Sequence, residues 1–197
     1  MVTAGIYMIV RSNILYNLAP VTLGVISVIG MATALLAATI ALSQTDIKKV
    51  LAYSTVSQLG FMFVALGVGA YSSALFHVTT HAFFKALLFL AAGSVIHAMG
   101  GEQDVRKMGG LRKKLPITFL VFAIGTLAIT GVPPLAGFFS KDEILAAAWT
   151  QSPILFFLLS VTSVLTTIYM FRVFFLAFYG DFRGTKEQEH HLHEPPP

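Results

Sequence analysis

Long, nearly uncharged apolar runs dominate this sequence. Several exceed the roughly 18 to 20 residues that a helix needs to cross a hydrocarbon layer about 30 Å thick. Only 11% of the 197 residues are charged, 56% are hydrophobic, and the mean hydropathy is +0.78. Backbone polar groups in lipid must be satisfied internally, and no stretch alternates with the period of a strand, so the spans are predicted to be helices. The sequence therefore predicts an all-α, polytopic transmembrane helix bundle.

Five main helical regions follow a partial one at the N-terminus. The predicted regions cover residues 20–42, 48–69, 72–99, 115–149 and 153–179, the fourth with an interruption. The opening MVTAGIYMIV is apolar but gives only about ten residues before Arg11, too few to cross a membrane. It also lacks the basic stretch of a signal peptide. We therefore expect about five full spans plus a partial one, in a chain that begins inside a longer polypeptide.

Basic loops indicate how the chain is oriented. The formal net charge of +4 could suggest nucleic acid, but the basic residues lie beside apolar spans, so no nucleic-acid partner is expected. The densest basic group is Arg106, Lys107, Arg112, Lys113 and Lys114. The positive-inside rule places this loop, the turn at 46–49 and the C-terminal tail on the cytoplasmic side. We expect a multi-pass protein of a bacterial inner (plasma) membrane.

The composition changes abruptly after Tyr179, and the chain ends in EHHLHEPPP. We divide the chain into a transmembrane module, residues 1–182, and a solvated His/Pro-rich tail, residues 183–197. His-rich tracts can bind metal. A proline-terminated tail without rigid geometry favours a solvated loop, so no metal site is assigned there.

A row of titratable residues lies within the apolar run 72–99. His77, His81 and Lys85 follow one another at four-residue intervals, which keeps them on one helix face about 6 Å apart. A cation at membrane depth costs at least about 2.5 to 3.5 kcal/mol on insertion scales and is usually kept for ion or proton movement. Imidazoles exchange protons near neutral pH. The row, bridged by water or Thr80, therefore predicts a proton relay.

Two other interpretations of this row stay open. The histidines could be hydrogen-bonded packing residues, with Lys85 a structural ion-pair partner. Histidines four residues apart could also share a metal, although zinc takes at least three protein ligands and no third ligand lies nearby in this helix. The relay is favoured because three titratable groups on one stripe are costly to keep for packing alone.

The region 48–69 carries a second set of polar residues. Lys49, Tyr53 and Ser57 form one row, with Ser54 and Gln58 on the next. These side chains could hold water against the His/Lys helix, or they could form the interhelical hydrogen bonds that small and hydroxylated residues commonly supply in membranes. The residues alone do not decide between the two.

The fourth region contains a break. Pro133 and Pro134 in GVPPLAGFF cannot donate backbone hydrogen bonds, and the flanking glycines loosen the backbone. A helix resumes with SKDEILAAAW, where Ser140 is suited to cap it. The pattern predicts a discontinuous helix broken near 131–137, a feature that marks ion sites in transporters, with Lys141 at or just beyond the break. The alternative is one proline-kinked span followed by an interfacial Lys141.

Five blocks carry a resemblance to a known family. In order, they are DIKKVLAYSTVSQLGFMF, HVTTHAFFKALLFLAAGSVIH, DVRKMGGLRKKLPITF, GVPPLAGFFSKDEIL and IYMFRVFFLAFYGDF. Together they resemble the antiporter-like membrane subunit L of proton-pumping NADH:quinone oxidoreductase, respiratory complex I, from residue 1 to about 182. Mrp-type sodium/proton antiporter subunits and membrane-bound hydrogenases share several blocks. The pairing of HAFFKALLFL with GFFSKDEIL favours subunit L.

The resemblance implies two inverted five-helix repeats, each with one broken helix, of which this chain resembles only the second. It implies a proton path through Lys48, His77, His81, Lys85 and Lys141, the last near the outlet. The family's first repeat and later helices have no counterpart here, so we expect a fragment or a split gene product.

The implied activity is that of a translocase subunit without a redox centre of its own. The sequence has no cysteine, which excludes Cys-ligated clusters from this stretch, and the resemblance assigns FMN, iron–sulfur clusters and quinone to partner subunits. The expected partners are other membrane subunits of complex I, the lipid bilayer and the transported protons. The alternative functions are an Mrp-type antiporter subunit, a membrane-bound hydrogenase subunit, and a structural scaffold.

Overall fold

The computed structural model describes residues 2–185, 188 and 192–193. Its α-helices are α1 (Ala4–Arg11), α2 (Asn13–Asn17), α3 (Pro20–Ser43), α4 (Ile47–Gly67), α5 (Tyr71–Ala98), α6 (Pro116–Thr130), α7 (Ala136–Gln151) and α8 (Pro153–Phe178). Two 3-10 turns, Val105–Lys107 and Leu111–Lys113, lie in the loop between α5 and α6. The described residues form no strand, and the predicted all-α class is confirmed.

Within the described part of the chain, four helices are long and apolar enough to cross a membrane: α3, α4, α5 and α8. Their bounds differ little from the predicted ones, the largest difference being the end of α4 at Gly67 against residue 69. The predicted interrupted span consists of α6 and α7, with no helix from 131 to 135. The partial N-terminal span is two short helices, α1 and α2, separated at Ser12.

The helix ends follow from local chemistry. Pro20, Pro116 and Pro153 each begin a helix. Proline suits this position because the N–H that it lacks would have no partner within the helix. Asp46 caps α4, since its carboxylate accepts hydrogen bonds from the backbone N–H groups of Lys48 and Lys49 (2.8 and 3.1 Å). Gly131 ends α6 in the left-handed region, with φ +82°, which glycine adopts without steric cost.

Helices α3 and α4 pack backbone to backbone. A Cβ added at Gly60 would lie 2.6 Å from backbone atoms of Gly30 and Ala34, so a larger residue would force the helices apart. Small residues at such contacts let helices approach closely in membranes. Helix α5 packs against α4, α6 and α7, and α8 packs against α3, α6 and α7.

The basic loop and the turn before α4 meet at one end of the bundle. The Val105 N–H donates to the carbonyl oxygen of Thr45 (2.9 Å). From α8, the Arg172 guanidinium donates to the carbonyl oxygens of Leu42 and Gln44 (2.6 and 3.0 Å). The side chain of Arg172 therefore satisfies carbonyls at the C-terminal end of α3 and ties α8 to it.

The predicted solvated tail, 183–197, is described only at residues 183–185, 188 and 192–193. Arg183 donates to the carbonyl oxygen of Met108 (2.6 Å), and Leu192 packs against the apolar core. These residues lie against the basic loop rather than apart from the protein. His190 and His191 lie outside the described residues, and the division at residue 182 stays a prediction.

Candidate functional site

Buried polar side chains form a layer across the middle of the bundle, which we call the polar layer. Along α4, apolar core residues lie at 47–51 and again at 61–66, with Ser54, Ser57 and Gln58 buried between them. Buried polar residues also lie between apolar core residues on α5 and α8, and on α7 Ser140 and Lys141 precede the core residues Ile144 and Ala148. The members are Ser54, Ser57, Gln58, His77, Thr80, His81, Lys85, Ser140, Lys141, Thr162 and Thr166. The layer separates two apolar clusters about half-way along the spanning helices.

His77 is fully buried and is bonded at both ring nitrogens. Nδ1 lies 2.8 Å from the Ser140 hydroxyl of α7, and Nε2 lies 3.1 Å from Oε1 of Gln58 on α4. The Thr80 hydroxyl lies 3.0 Å from Ser140 Oγ and 3.2 Å from the carbonyl oxygen of His77. This imidazole therefore joins three helices, and it contacts the second half of the broken helix directly.

His81 follows on the same face of α5. Its ring centroid lies 6.2 Å from that of His77, and it meets the edge of Phe84 at 5.4 Å. Its Nε2 is buried and has no hydrogen-bond partner among the described residues. The packing interpretation requires hydrogen-bonded histidines and does not account for this nitrogen.

Lys85 is held by main chain. Its ammonium donates to the carbonyl oxygen of Leu51 on α4 (3.0 Å) and lies 5.8 Å from the centre of the Phe89 ring. Ion pairs among the described residues are confined to the basic loop, Arg106 with Asp104 and Lys107 with Glu102. The structural ion-pair alternative for Lys85 therefore finds no carboxylate in this part of the chain.

Lys141 occupies the break between α6 and α7. Its side chain is 4% exposed, and its ammonium donates to the carbonyl oxygen of Ile129 (2.6 Å). Ile129 lies in the last turn of α6, whose final carbonyls lack helical partners and carry partial negative charge. The break therefore supplies the acceptor for the amine, and Lys141 is buried within the bundle.

The predicted capping role of Ser140 is wrong. Helix α7 begins at Ala136, after an extended Leu135 with ψ 153°, because the chain can re-enter a helix as soon as the proline pair has passed. Ser140 and Lys141 therefore lie in the second turn of α7, where their side chains project into the polar layer.

Four of the five predicted path residues meet in the polar layer, and one does not. His77, His81, Lys85 and Lys141 are all buried there. Lys48 is exposed in the first turn of α4, at the basic-loop end of the bundle. No group of three or more His, Asp or Glu residues that could hold a metal ion occurs among the described residues.

Sequence reasoning gave Gln58 and Ser140 no role at His77. Gln58 was only one member of a polar row, and Ser140 was assigned to a helix cap. The available signal was a buried amide on an otherwise apolar helix, which needs a hydrogen-bond partner. Two other polar residues of α4 form interhelical hydrogen bonds: Ser57 donates to the carbonyl oxygen of Ala34 (2.9 Å), and Ser54 accepts from Tyr169 (2.9 Å).

Two ion pairs outside the spans lie in the basic loop, Arg106 with Asp104 and Lys107 with Glu102. The Arg106 guanidinium donates to both carboxylate oxygens of Asp104 (2.6 to 3.1 Å), and this bonding lowers the pKa of Asp104 to about 2. A backbone hydrogen bond from Asp104, followed by the Lys107 ammonium, lowers the pKa of Glu102. These pairs organise the loop and lie apart from the polar layer.

Known proteins share both the sequence and the fold. Residues 1–166 match the family described as NADH:quinone oxidoreductase/Mrp antiporter, TM. NADH-quinone oxidoreductase subunit L of Rickettsia bellii is 53% identical over 196 residues, which cover 100% of this chain and 30% of the relative. NAD(P)H-quinone oxidoreductase chain 5 of a Synechocystis species is also 53% identical, over 95% of this chain and 29% of the relative.

Among solved structures, the Mrp complex from a Dietzia species has a chain that superposes with a TM-score of 0.83 at 26% identity, covering 89% of this chain and 34% of that one. The chain spans about 30% of the length of the curated relatives it matches.

Proposed function

Since the chain belongs to the NADH:quinone oxidoreductase/Mrp antiporter transmembrane family, we propose that it is a proton-translocating part of a membrane subunit of NADH:quinone oxidoreductase. The observation that carries the proposal is the polar layer, in which two lysines and two histidines are buried together midway along the helices. Four such groups at membrane depth are costly to keep, and ionisable residues there usually mark ion or proton pathways.

The contacts of the lysines suit reversible protonation. Lys85 and Lys141 each donate to a main-chain carbonyl oxygen, and a carbonyl accepts an N–H from an ammonium and from a neutral amine alike. Because neither lysine pairs with a carboxylate, the loss of its proton leaves no unpaired negative charge behind. Two ammonium groups in a poorly screened interior also repel each other, so a proton on one disfavours a proton on the other.

The histidines connect the two amines. His81 lies one helical turn from Lys85, and His77 reaches the hydroxyl of Ser140, which adjoins Lys141 in the sequence. The proposed path runs from Lys85 through His81 and His77 to Lys141. Lys48 is exposed at the basic-loop end, and we propose that it lies where protons approach this path.

Electron transfer belongs to other subunits in this proposal. FMN, iron–sulfur clusters and quinone would be held by partner subunits, whose redox reaction drives protons through this chain. Moving one charge against 100 mV requires about 2.3 kcal/mol. Other membrane subunits of the complex and the lipid bilayer are its partners, in a bacterial inner membrane with the basic loops facing the cytoplasm.

Replacement of Lys85 by alanine tests the proposal in the full-length subunit within the assembled complex. We expect Lys85→Ala to lower the number of protons pumped per NADH oxidised. Lys114→Ala, which removes an exposed lysine of the basic loop, is the matched control and should leave the ratio unchanged. A wild-type ratio in Lys85→Ala removes this residue from the mechanism.

A second candidate is a sodium/proton antiporter subunit, which the superposition on the Mrp complex favours. The two candidates differ in their dependence on sodium. NADH-driven proton pumping that continues in sodium-free vesicles supports the oxidoreductase. Proton movement that requires a sodium gradient and continues without NADH supports the antiporter.

A further inference from the structure

The aromatic ring of Phe61 lies against the Lys141 ammonium. We propose that Phe61 is a positioning residue whose ring face stabilises the ammonium form of Lys141 over the neutral amine, and so sets how readily this lysine releases its proton. Only the use made of the released proton rests on the proposed function. The contact between the ring and the ammonium stands without it.

The two side chains come from different helices and are both buried. Phe61 belongs to α4 and is fully buried, whereas Lys141, in α7, is 4% exposed. The ammonium lies over the ring, 5.5 Å from its centre, which is within the distance of about 6 Å at which a ring face attracts a cation. Because α4 packs against α7, the packing of these helices fixes the ring beside the amine.

The other buried amine has a less constrained contact of the same kind. The Lys85 ammonium lies 5.8 Å from the centre of the Phe89 ring. Phe89 is on the same helix as Lys85, one turn further along, and 38% of its surface is exposed, so its ring has room to turn away. The fully buried ring of Phe61 is enclosed by other residues and keeps its place.

The ring and the hydrogen bond of Lys141 differ in how they treat its two forms. The carbonyl oxygen of Ile129 accepts an N–H from the amine (2.6 Å), and both the charged and the neutral form can supply one. The face of an aromatic ring is negative and attracts the ammonium, whereas a neutral amine has no net charge to attract. Burial strengthens this attraction. The last carbonyls of α6 also favour the ammonium, but they belong to the main chain and a substitution does not remove them.

Other charges act on Lys141 as well. Helices α4, α5, α6 and α8 pack against α7. Their titratable and charged side chains are Lys48, Lys49 and Tyr53 on α4, Tyr71, His77, His81, Lys85 and His97 on α5, and Tyr169 and Arg172 on α8, with none on α6. On α7 itself, Asp142 and Glu143 are exposed, and Asp142 lines a cavity of about 180 Å³ together with Lys141. A change confined to the Phe61 ring leaves all of these groups in place, so its effect on Lys141 is assigned to the ring.

The test weakens the ring face without moving it. Mono-, di- and trifluorinated phenylalanines, incorporated at Phe61 of the full-length subunit in the membrane-embedded complex, withdraw electron density from the ring in steps and change its size little. Nuclear magnetic resonance of ¹⁵N-labelled lysine distinguishes an ammonium from an amine, and the Lys141 signal is the one lost in Lys141→Gln. A weaker attraction makes the ammonium easier to deprotonate. We therefore expect the pH of half-protonation to fall with each fluorine, by about 0.4 to 1.5 pH units over the series.

Phe122 is the matched control. It is a fully buried ring that packs against Phe174 and Phe178 of α8, in the apolar cluster that does not include Phe61. The same fluorinated residues there should leave the half-protonation pH of Lys141 unchanged. An unchanged value across the Phe61 series overturns the proposal, and so does an equal fall in the Phe122 series.

Natural substitutions give a second measurement at the same position. Phe61→Tyr keeps a ring face and should stay close to the wild-type half-protonation pH. Phe61→Leu fills much of the same space without a ring and should lower it at least as far as the trifluorinated residue does. A wild-type value in Phe61→Leu contradicts the proposal, and this variant decides the question if the fluorinated proteins do not assemble.

Proton pumping measured across a range of pH on the same proteins separates this inference from the proposed function. A lowered half-protonation pH of Lys141, with pumping lost at correspondingly lower pH, supports both. A lowered half-protonation pH with wild-type pumping per NADH at every pH keeps the role of Phe61 and removes proton release by Lys141 from the mechanism.

Discussion

Lys141 combines a structural contact with a proposed role in proton exchange. Its ammonium fills the space between α6 and α7, donates to Ile129 (2.6 Å) and lies 5.5 Å from the centre of the Phe61 ring. A residue that only held the break together would need its positive charge and its hydrogen bond. A residue that carries protons must also release one, and this difference can be measured.

Substitution by arginine separates the two roles of Lys141. A guanidinium keeps its charge and can donate to Ile129, but it does not lose its proton in proteins. We expect Lys141→Arg to assemble with its partners yet to transfer protons roughly 10²- to 10⁴-fold more slowly, the usual contribution of a positioned acid–base group. Proton pumping per NADH, with assembly checked by native gel electrophoresis, measures the effect.

The control for this substitution is Lys114→Arg, in the exposed part of the basic loop, which should behave as the wild type. Wild-type pumping in Lys141→Arg would show that the charge and its hydrogen bond are sufficient, and would limit Lys141 to a structural role.

The sequence was sufficient to select the ionisable residues that are buried in the polar layer, but not their hydrogen-bond partners. His77, His81 and Lys85 were predicted from spacing alone, because titratable groups in an apolar run are rare and four-residue steps share a helix face. The contacts of His77 with Gln58 and Ser140 join residues 19 and 63 positions apart. Such contacts depend on how helices pack, which no local pattern encodes.

The broken helix depends on close contact between its two halves. A Cβ added at Gly137, in the first turn of α7, would overlap the carbonyl oxygen of Ala128 in α6. The absence of a side chain at this position therefore brings α7 against the end of α6. It also brings Lys141 within reach of the Ile129 carbonyl, so the geometry of the break and the contact of the lysine are set together.

Gly137→Ala is expected to displace α7 and to weaken the bond between Lys141 and Ile129. Overpacking of this kind typically costs about 1–3 kcal/mol. The thermal unfolding temperature and the proton pumping of the assembled complex should both fall. Gly93→Ala on α5 is the matched control: an added Cβ there meets nothing within 4 Å, and alanine favours a helix by roughly 1 kcal/mol over glycine. Equal behaviour of the two variants would contradict the proposed contact.

Element bounds were predicted well where a single chemical signal ends a helix. Pro20 and Pro153 begin α3 and α8 at the predicted residues, since proline is suited to the first position of a helix. The start of α7 was misplaced by four residues, because Ser140 resembles a cap whereas the helix begins at Ala136. A serine that bonds to another helix cannot be told from a capping serine by sequence alone.

The two ends of the whole molecule differ in charge. At one end lie the basic loop, the turn before α4 and the docked residue Arg183. At the other end, a cavity of about 400 Å³ is lined by uncharged residues, among them Asn17, Gly69 and Gln151. Because basic residues are retained on the cytoplasmic side of membranes, this asymmetry predicts the orientation of the bundle.

Cysteine labelling measures that orientation directly, since this sequence contains no cysteine. Lys113→Cys places a thiol in the exposed basic loop, and Gln151→Cys places one at the opposite end. A maleimide that cannot cross membranes should label Lys113→Cys in inside-out vesicles and Gln151→Cys in right-side-out vesicles, with the unsubstituted protein as the background. The reverse pattern would place the basic loop outside the cytoplasm. The approach of Lys48 to the polar layer would then open on the opposite side, and the proposed direction of entry would be wrong.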